Sequence, residues 1–472
     1  MKIHMKKPSL TVSLIPLLLL IVIIFTCVRI FGDNVTAGPS QFTLLFVAVV
    51  AFAIARIFYG MTWEQAEEGM ITHLKNTYPA ILILIAIGAL IGSWMSSGII
   101  PTMIYYGLKV IHPAVFLPLA FVISSVISIV TGSSWSTVGT FGVALLGAGQ
   151  IIGFPTPWLA GAIISGAYFG DQMSPLSDTT NLASSFCNVP LFTHIRYMMV
   201  NSIPVFIICL IIYLIAGLAI PTESTVDIQS QLDALQGTFR ISGWLLLIPL
   251  ITIVLVIKKV PPFITLLLSA VVGALAAVLF QPQICDTIGG GRFGAAITMI
   301  SSHVKIDTGD AILNNLTTTN GMAGMMNTVW LILCVIAYAG IMTASGMIHV
   351  ITQYLLKLMK NTVSTVAATL GTGIFFNLTL GDQYMAIIMP GSMFSETYKK
   401  KGLAPELLSR TIEESATVTS VLVPWNTCAV AQSTVLNVAT LTYLPYCFFN
   451  LILPVFSLFA AAVGYKIRKI TN

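Results

Sequence analysis

The residues best placed for chemistry form one short run, Gly170-Asp171-Gln172-Met173-Ser174-Pro175-Leu176-Ser177-Asp178-Thr179-Thr180-Asn181. A proline inside a helix removes a backbone donor and breaks it. The carbonyls freed around Pro175 then join the hydroxyls of Ser174, Ser177, Thr179 and Thr180, the amide of Asn181, and the carboxylates of Asp171 and Asp178. Hard cations take oxygen ligands of this kind, so a sodium ion is expected in the Asp178 region. A helix kinked only for structure would need neither aspartate.

A second run, Thr417 to Thr427, repeats the pattern around Pro424. Asn426 stands where Asp178 stands in the first run, which keeps the carbonyl geometry and removes the charge. Asn426 and Thr427 are expected to approach the site from this side. Glu413 and Glu414 precede the break, with Arg410 as their candidate charge partner. Neighbouring helical residues point about 100° apart, so one glutamate can face the site while the other pairs elsewhere. Two polar, glycine-containing segments, 131–137 and 379–384, read as helix breaks or re-entrant hairpins at Gly132 and Gly381, and the second carries Asp382.

Of 17 acidic residues, only Asp171, Asp178, Asp382, Glu413 and Glu414 lie within apolar or small-polar segments. A carboxylate at membrane depth costs at least about 2.5–3.5 kcal/mol and marks function by default. Asp178, Asp382, Glu413 and Glu414 are therefore the candidates for proton coupling. The six histidines read as helix-end or loop residues.

Membrane helices must position these groups. The chain of 472 residues is 56% hydrophobic and 8% charged, far from the roughly 25% charged of soluble domains. Apolar runs recur along nearly all of it, each near the length that crosses a bilayer, and residues 9–31 read as the first span. The net charge of +5 comes from short Lys and Arg clusters between apolar runs, as in orientation signals, and does not suggest nucleic acid. Seven scattered cysteines show no metal-ligand spacing, and no cofactor motif is present.

The second half echoes the first. Gly92, Ser97, Gly98 and Lys109 recur as Gly340, Ser345, Gly346 and Lys357 at a shift of 248, and Ser177-Asp178-Thr179 falls on Trp425-Asn426-Thr427. Upstream the shift is 222, and the difference is an insertion of 26 residues within 281–326. Lys2, Lys6 and Lys7, Lys258-Lys259, and Lys466 to Lys469 read as cytoplasmic, whereas the Lys-poor stretch 221–241 reads as external. The expected fold is an all-α polytopic membrane protein of about 11–13 membrane segments in two inverted repeats, 1–220 and 242–472, joined by an external polar linker, 221–241. Inverted repeats place an ion site near the midplane, where helices are broken. Both termini are expected in the cytoplasm of a multi-pass plasma (inner) membrane protein, and a homodimer is left open.

Three stretches carry a family resemblance: GAIISGAYFGDQMSPLSDTTNLA over 161–183, Gly381-Asp382-Gln383-Tyr384 through Pro390-Gly391, and Leu408-Ser409-Arg410-Thr411-Ile412-Glu413-Glu414-Ser415 through Pro424-Trp425-Asn426-Thr427-Cys428. At these residues the chain resembles the NhaC-type sodium/proton antiporters, a family that also includes sodium-linked malate/lactate exchangers. The resemblance implies sodium and protons as cargo, alternating access, and no enzyme activity. Gln172 stands where the family commonly has Lys, and Val421 where it commonly has Pro.

The alternative within this reading is an exchanger of small organic acids such as malate and lactate, for which Arg410 is the candidate anion partner. A rival of another class, an intramembrane aspartyl protease, lacks its Gly-x-Gly-Asp signature here. Cysteine labelling at Ser230, in a cysteine-less background, checks the orientation. Intact cells should label from outside, and labelling only after permeabilisation would overturn the external placement of 221–241.

Overall fold

A computed structural model describes residues 8–110, 112–221 and 228–470, apart from the side chain of Asp33. Lys2, Lys6, Lys7 and His4 lie outside the described residues, as do Glu223 and Asp227 of the 221–241 stretch. The described chain is helical, with two isolated β-bridges, Val304 with Thr319 and Leu403 with Lys469. Lipid offers no partner to backbone N–H and C=O groups, so an apolar chain of this kind satisfies them within helices. Among the described residues nine helices are long and apolar enough to cross a membrane, or up to eleven if each of two bent pairs counts as one span. The first is Leu10–Phe31. The expected 11–13 segments also counted the short helices beside the breaks.

The centre of the molecule is a crossing of two long helices, Trp63–Ser96 and Met326–Ala344. Where they cross there is no room for side chains. A Cβ on Gly69 would lie 2.6 Å from the Gly340 carbonyl oxygen, and one on Gly340 would lie 2.6 Å from Met70 Cα. Close backbone approach over small residues is how helices associate where lipid removes the hydrophobic drive. Each central helix has a further partner. Pro262–Phe280 packs along Trp63–Ser96, with Gly273 against Trp94, and Pro39–Tyr59 packs along Met326–Ala344, with Gln41 donating to Asn327 at 3.2 Å.

Around this centre, each half of the chain carries a broken hairpin and a broken helix. Phe116–Thr131 ends at Gly132 in the left-handed region (φ +66°), and Ser133 caps the helix that resumes at Ser134. Thr156–Met173 gives way to the loop 174–177, and Ser177 caps Asp178–Phe186. In the second half, Thr362–Leu380 ends at Gly381 (φ +59°) and Asp382 caps Gln383–Lys400. Pro405–Ile412 continues through a π-helical turn, Glu413–Thr417, to Ser420, and after a break Asn426 caps Thr427–Leu436.

One reading of the sequence gains detail and another is corrected. The stretch 221–241 contains a helix, Ile228–Thr238, bent by 89° from the helical segment Gly243–Ile257. Leu232 and Leu235, three residues apart, bury one face of it, and Gln231 donates to Asp310 at 2.7 Å. Two histidines are interior rather than interfacial. His73 bonds to Thr343 at 3.1 Å and His194 to Ser409 at 2.8 Å, and both are buried.

The central crossing yields a stability prediction. Gly340→Ala should cost about 1–3 kcal/mol through overpacking and lower the melting temperature of the detergent-solubilised protein. Gly371→Ala should leave it at or above the wild-type value, because Gly371 is helical with nothing within 4 Å of its Cβ position. Equal melting temperatures for the two variants would show that the crossing yields.

Candidate ion site

The two breaks of the first half hold each other. A Cβ on Gly132 would lie 2.6 Å from the Leu176 carbonyl carbon, so only glycine lets this turn rest on the Pro175-Leu176 loop. Asn181 closes the loop by donating to the carbonyls of Ser177 (2.6 Å) and Pro175 (3.1 Å). Ser174 accepts from Leu176 N–H, Ser177 from Thr180 N–H, and Thr180 donates to the carbonyls of Asp171 and Gln172. Thr179 shares a 3.0 Å hydroxyl contact with Ser177.

Against this loop lies a cavity of about 330 Å³. Asp171 and Asp178 both line it. Asp171 Oδ2 accepts from the Ser134 N–H at 3.1 Å and its hydroxyl at 2.7 Å, whereas Oδ1 is buried with no hydrogen-bond partner. Asp178 Oδ1 accepts from Thr179 N–H at 2.9 Å, and Oδ2 accepts from the Tyr384 hydroxyl at 2.6 Å. The Asp178 side chain is open to solvent where it faces the cavity.

Of the expected site residues, Asp171, Asp178, Asn181, Pro175 and Gly132 line the cavity. Ser174, Ser177, Thr179 and Thr180 are buried and are not on its wall. Asn426 and Thr427 lie elsewhere, in a second crossing where the two breaks of the second half, at Gly381 and at 421–426, meet. Asn426 accepts from Cys428 N–H and donates to Asn377, Thr427 N–H donates to the Gly381 carbonyl, and Pro424 is only partly buried nearby. From the second half the cavity receives Gln383 and Tyr384, and the turn from Val256 to Pro262. Asp382 is buried and occupied, accepting from Met385 N–H at 2.9 Å and from the Thr77 hydroxyl at 3.4 Å.

The two glutamates divide as adjacent helical residues should. Glu414 meets Arg410 at 3.7 Å and accepts from Asn201 at 3.2 Å, and the Arg410 guanidinium lies 4.2 Å from the Tyr197 ring centroid. This ion pair is fully buried, and neither member lines the cavity. Glu413 lies within electrostatic reach of Asp171 and Asp178, and neither of its buried oxygens has a hydrogen-bond partner. Both glutamates lie two turns inside a helix that starts at Pro405, so neither is a helix-start residue. The π-turn they open is of a kind found often at functional sites. Gln172 donates to the Glu413 carbonyl and accepts from Ser202, away from the cavity.

The geometry sets two carboxylates, one with a free oxygen, on the wall of an accessible cavity inside a helical membrane protein. The model of the Na+/H+ antiporter family matches residues 166–465, which contain both broken helices and the acids Asp171, Asp178, Asp382, Glu413 and Glu414. The chain belongs to the Na+/H+ antiporter family. The "Na(+)/H(+) antiporter NhaC" of Alkalihalophilus pseudofirmus is 34% identical over 424 residues, covering 89% of this chain and 90% of that one. A "Malate-2H(+)/Na(+)-lactate antiporter" of Bacillus subtilis is 34% identical over 86% of each chain. The "Arginine/ornithine antiporter ArcD" of Halobacterium salinarum is 34% identical over 98% of this chain and 93% of that one. As a member of the antiporter family, the chain is a transporter and not an enzyme, and nothing supports the protease reading.

Three cavity residues escaped the sequence reading. Ser134 lies two residues after Gly132, within the polar segment 131–137, and that position was the available signal; Tyr384 closes the segment 379–384, and nothing local marked its hydroxyl. Lys259, which also lines the cavity, resembled an ordinary orientation charge.

Tyr384 gives the site its prediction. Hydrogen bonds to charged groups contribute about 1.5–3 kcal/mol, so Tyr384→Phe should raise the sodium half-saturation of transport roughly tenfold with normal membrane yield. Lost yield with unchanged half-saturation would make the hydroxyl structural.

Proposed function

We propose that this antiporter exchanges sodium ions for protons across the plasma membrane at Asp171 and Asp178. One observation carries the reading: an unpartnered oxygen of Asp171 and the open side chain of Asp178 share one cavity wall. Two carboxylates this exposed to each other repel unless a cation stands with them. Sodium can do so through oxygen coordination, and a proton can do so by binding either carboxyl. Only one of the two needs to be present, so arrival of one favours departure of the other. Glu413, close behind with no hydrogen bonds, is the second station for the proton, and Asp382, already engaged twice, is the weaker candidate.

Exchange also requires access from alternate sides. The cavity wall joins two parts of the chain, with Asp171 and Asp178 before residue 220 and Gln383 and Tyr384 after residue 242. On the proposed division into inverted repeats, 1–220 and 242–472, rocking of one repeat against the other opens and closes this seam. Both termini lie in the cytoplasm, and the cavity faces the same side as Lys258-Lys259.

The test is sodium-driven proton movement in proteoliposomes holding an internal pH dye, run with and without malate, lactate or arginine. Sodium alone should move protons, and a lower pH should raise the apparent sodium constant, because protons compete for the same carboxylates. Flux only in the presence of an organic solute would favour the exchange named for the malate/lactate or arginine/ornithine relatives. Asp178→Asn keeps the shape, imitates Asn426, and should reach the membrane yet lose exchange by at least about a hundredfold. Asp286→Asn, on an exposed helix outside the cavity, should behave as wild type. Exchange by Asp178→Asn with an unchanged pH profile would move the site to Glu413.

A further inference from the structure

Glu413 does not line the cavity. A proton held there reaches water either past Asp171 and the cavity or along the helix that carries Glu413. Pro405–Ile412 and the π-turn after it set Glu406, Ser409 and Glu413 at spacings of three and four, on one helix face. Glu406 is partly exposed at the outer end and meets Arg468 at 3.5 Å. Ser409 and Glu413 are fully buried. Arg410 turns off this face to Glu414.

His194 stands against the middle of this face. One helical turn separates it from the exposed Pro190, whose carbonyl accepts from the His194 N–H. Its Nδ1 shares a 2.8 Å hydrogen bond with the Ser409 hydroxyl, while Nε2 is buried with no partner among the described residues. A tie between two helices needs only one ring nitrogen. The other, left buried and unpaired, costs about 1–3 kcal/mol, and an apolar contact of the same shape would avoid that cost. Imidazole does what a plain tie cannot: it accepts a proton at one nitrogen and releases one from the other. The charges nearby are engaged elsewhere. Glu406 meets Arg468, Arg410 meets Glu414, Asp171 and Asp178 line the cavity, and Arg196 on the same helix as His194 is exposed.

We infer that His194 and Ser409 relay protons between Glu413 and the cytoplasm, along a route separate from the cavity that admits sodium. The inference rests on the proposed exchange at Asp171 and Asp178, with Glu413 as the second proton station. The relay opens at the end of the molecule where the C-terminal tail docks, since Tyr197 donates to the Lys466 carbonyl at 2.8 Å. In each passage the ring gains a proton at one nitrogen and gives one up at the other. The Ser409 hydroxyl does the same at its oxygen, and the Glu413 carboxyl gains or loses one proton. Only N–H and O–H bonds form and break, so the step balances in either direction. Residues at i and i+4 on a helix have Cβ atoms about 5–6 Å apart, a gap that a glutamate side chain spans.

Two fluxes of the full-length protein in proteoliposomes separate the relay from the sodium site. Sodium-driven proton movement uses both. Exchange of tracer sodium for sodium, at equal pH on the two sides, uses the sodium site alone. His194→Gln keeps a hydrogen bond to Ser409 but cannot pass a proton. It should lower proton movement roughly a hundredfold, the scale of a positioned acid–base group, and leave tracer exchange within about twofold of wild type. Ser409→Ala should show the same split, and Ser409→Thr, which keeps the hydroxyl, should transport as wild type. Equal loss of both fluxes in Ser409→Ala would make the pair a structural tie and overturn the relay. So would unchanged proton movement in either His194→Gln or Ser409→Ala, which would send protons through the cavity. Where His194→Gln fails to reach the membrane, the Ser409 variants decide. Wild type that exchanges tracer sodium but moves no protons would overturn the proposed exchange and the relay together, whereas failure in the variants alone overturns only the relay.

Discussion

A helix broken inside a membrane must find new partners for the backbone groups it frees, and the rest of this structure follows from that constraint. Lipid supplies none, so the breaks must lie against protein. Each resumed helix is capped by a side chain at its start: Ser133, Ser177, Asp382 and Asn426. Each hairpin break is a left-handed glycine set against the other broken strand of its half, Gly132 on Leu176 and Gly381 near the Trp425 carbonyl. The same bonds that settle the backbone also position the chemistry, since Asp171 is held by the N–H that opens the helix after Gly132.

The two crossings use one plan for different ends. In the second, Asn426, Asn377, Thr427 and the Trp425 indole exchange hydrogen bonds among themselves and with nearby carbonyls, and the residues are buried or nearly so. In the first, Asp171 keeps an unpaired oxygen and Asp178 opens on a cavity. On the proposed exchange, a neutral, self-satisfied crossing has no use for a cation, whereas a charged, unsatisfied one can hold it, and the exchange of Asp178 for Asn426 is the local difference between the two.

Much of this was legible in the sequence because it depends on local chemistry. Pro175 and Pro424, Gly132 and Gly381, and the five acids within apolar sequence mark the breaks without knowledge of packing. What was illegible depends on contacts between distant segments. Tyr384 reaches Asp178 across 206 residues of sequence, and no local rule distinguishes it from a packing tyrosine. His73 and His194 resembled interfacial residues because their partners, Thr343 and Ser409, lie on other helices. Ile228–Thr238 was read as linker because its polar face dominates its composition, although Leu232 and Leu235 suffice to dock it.

The buried charges then sort by whether the protein itself completes them. Arg410 and Glu414 compensate each other's charge, and the Tyr197 ring that covers Arg410 also lies 4.7 Å from Arg468, whose side chain meets Glu406 at 3.5 Å. Breaking such a pair leaves an uncompensated charge and costs about 3–5 kcal/mol. Asp171, Asp178 and Glu413 have no cationic partner within the described protein. On the proposed exchange, their charge is balanced by the sodium ion or proton that arrives and leaves, and a group balanced only by cargo is one whose occupancy can drive a change of conformation.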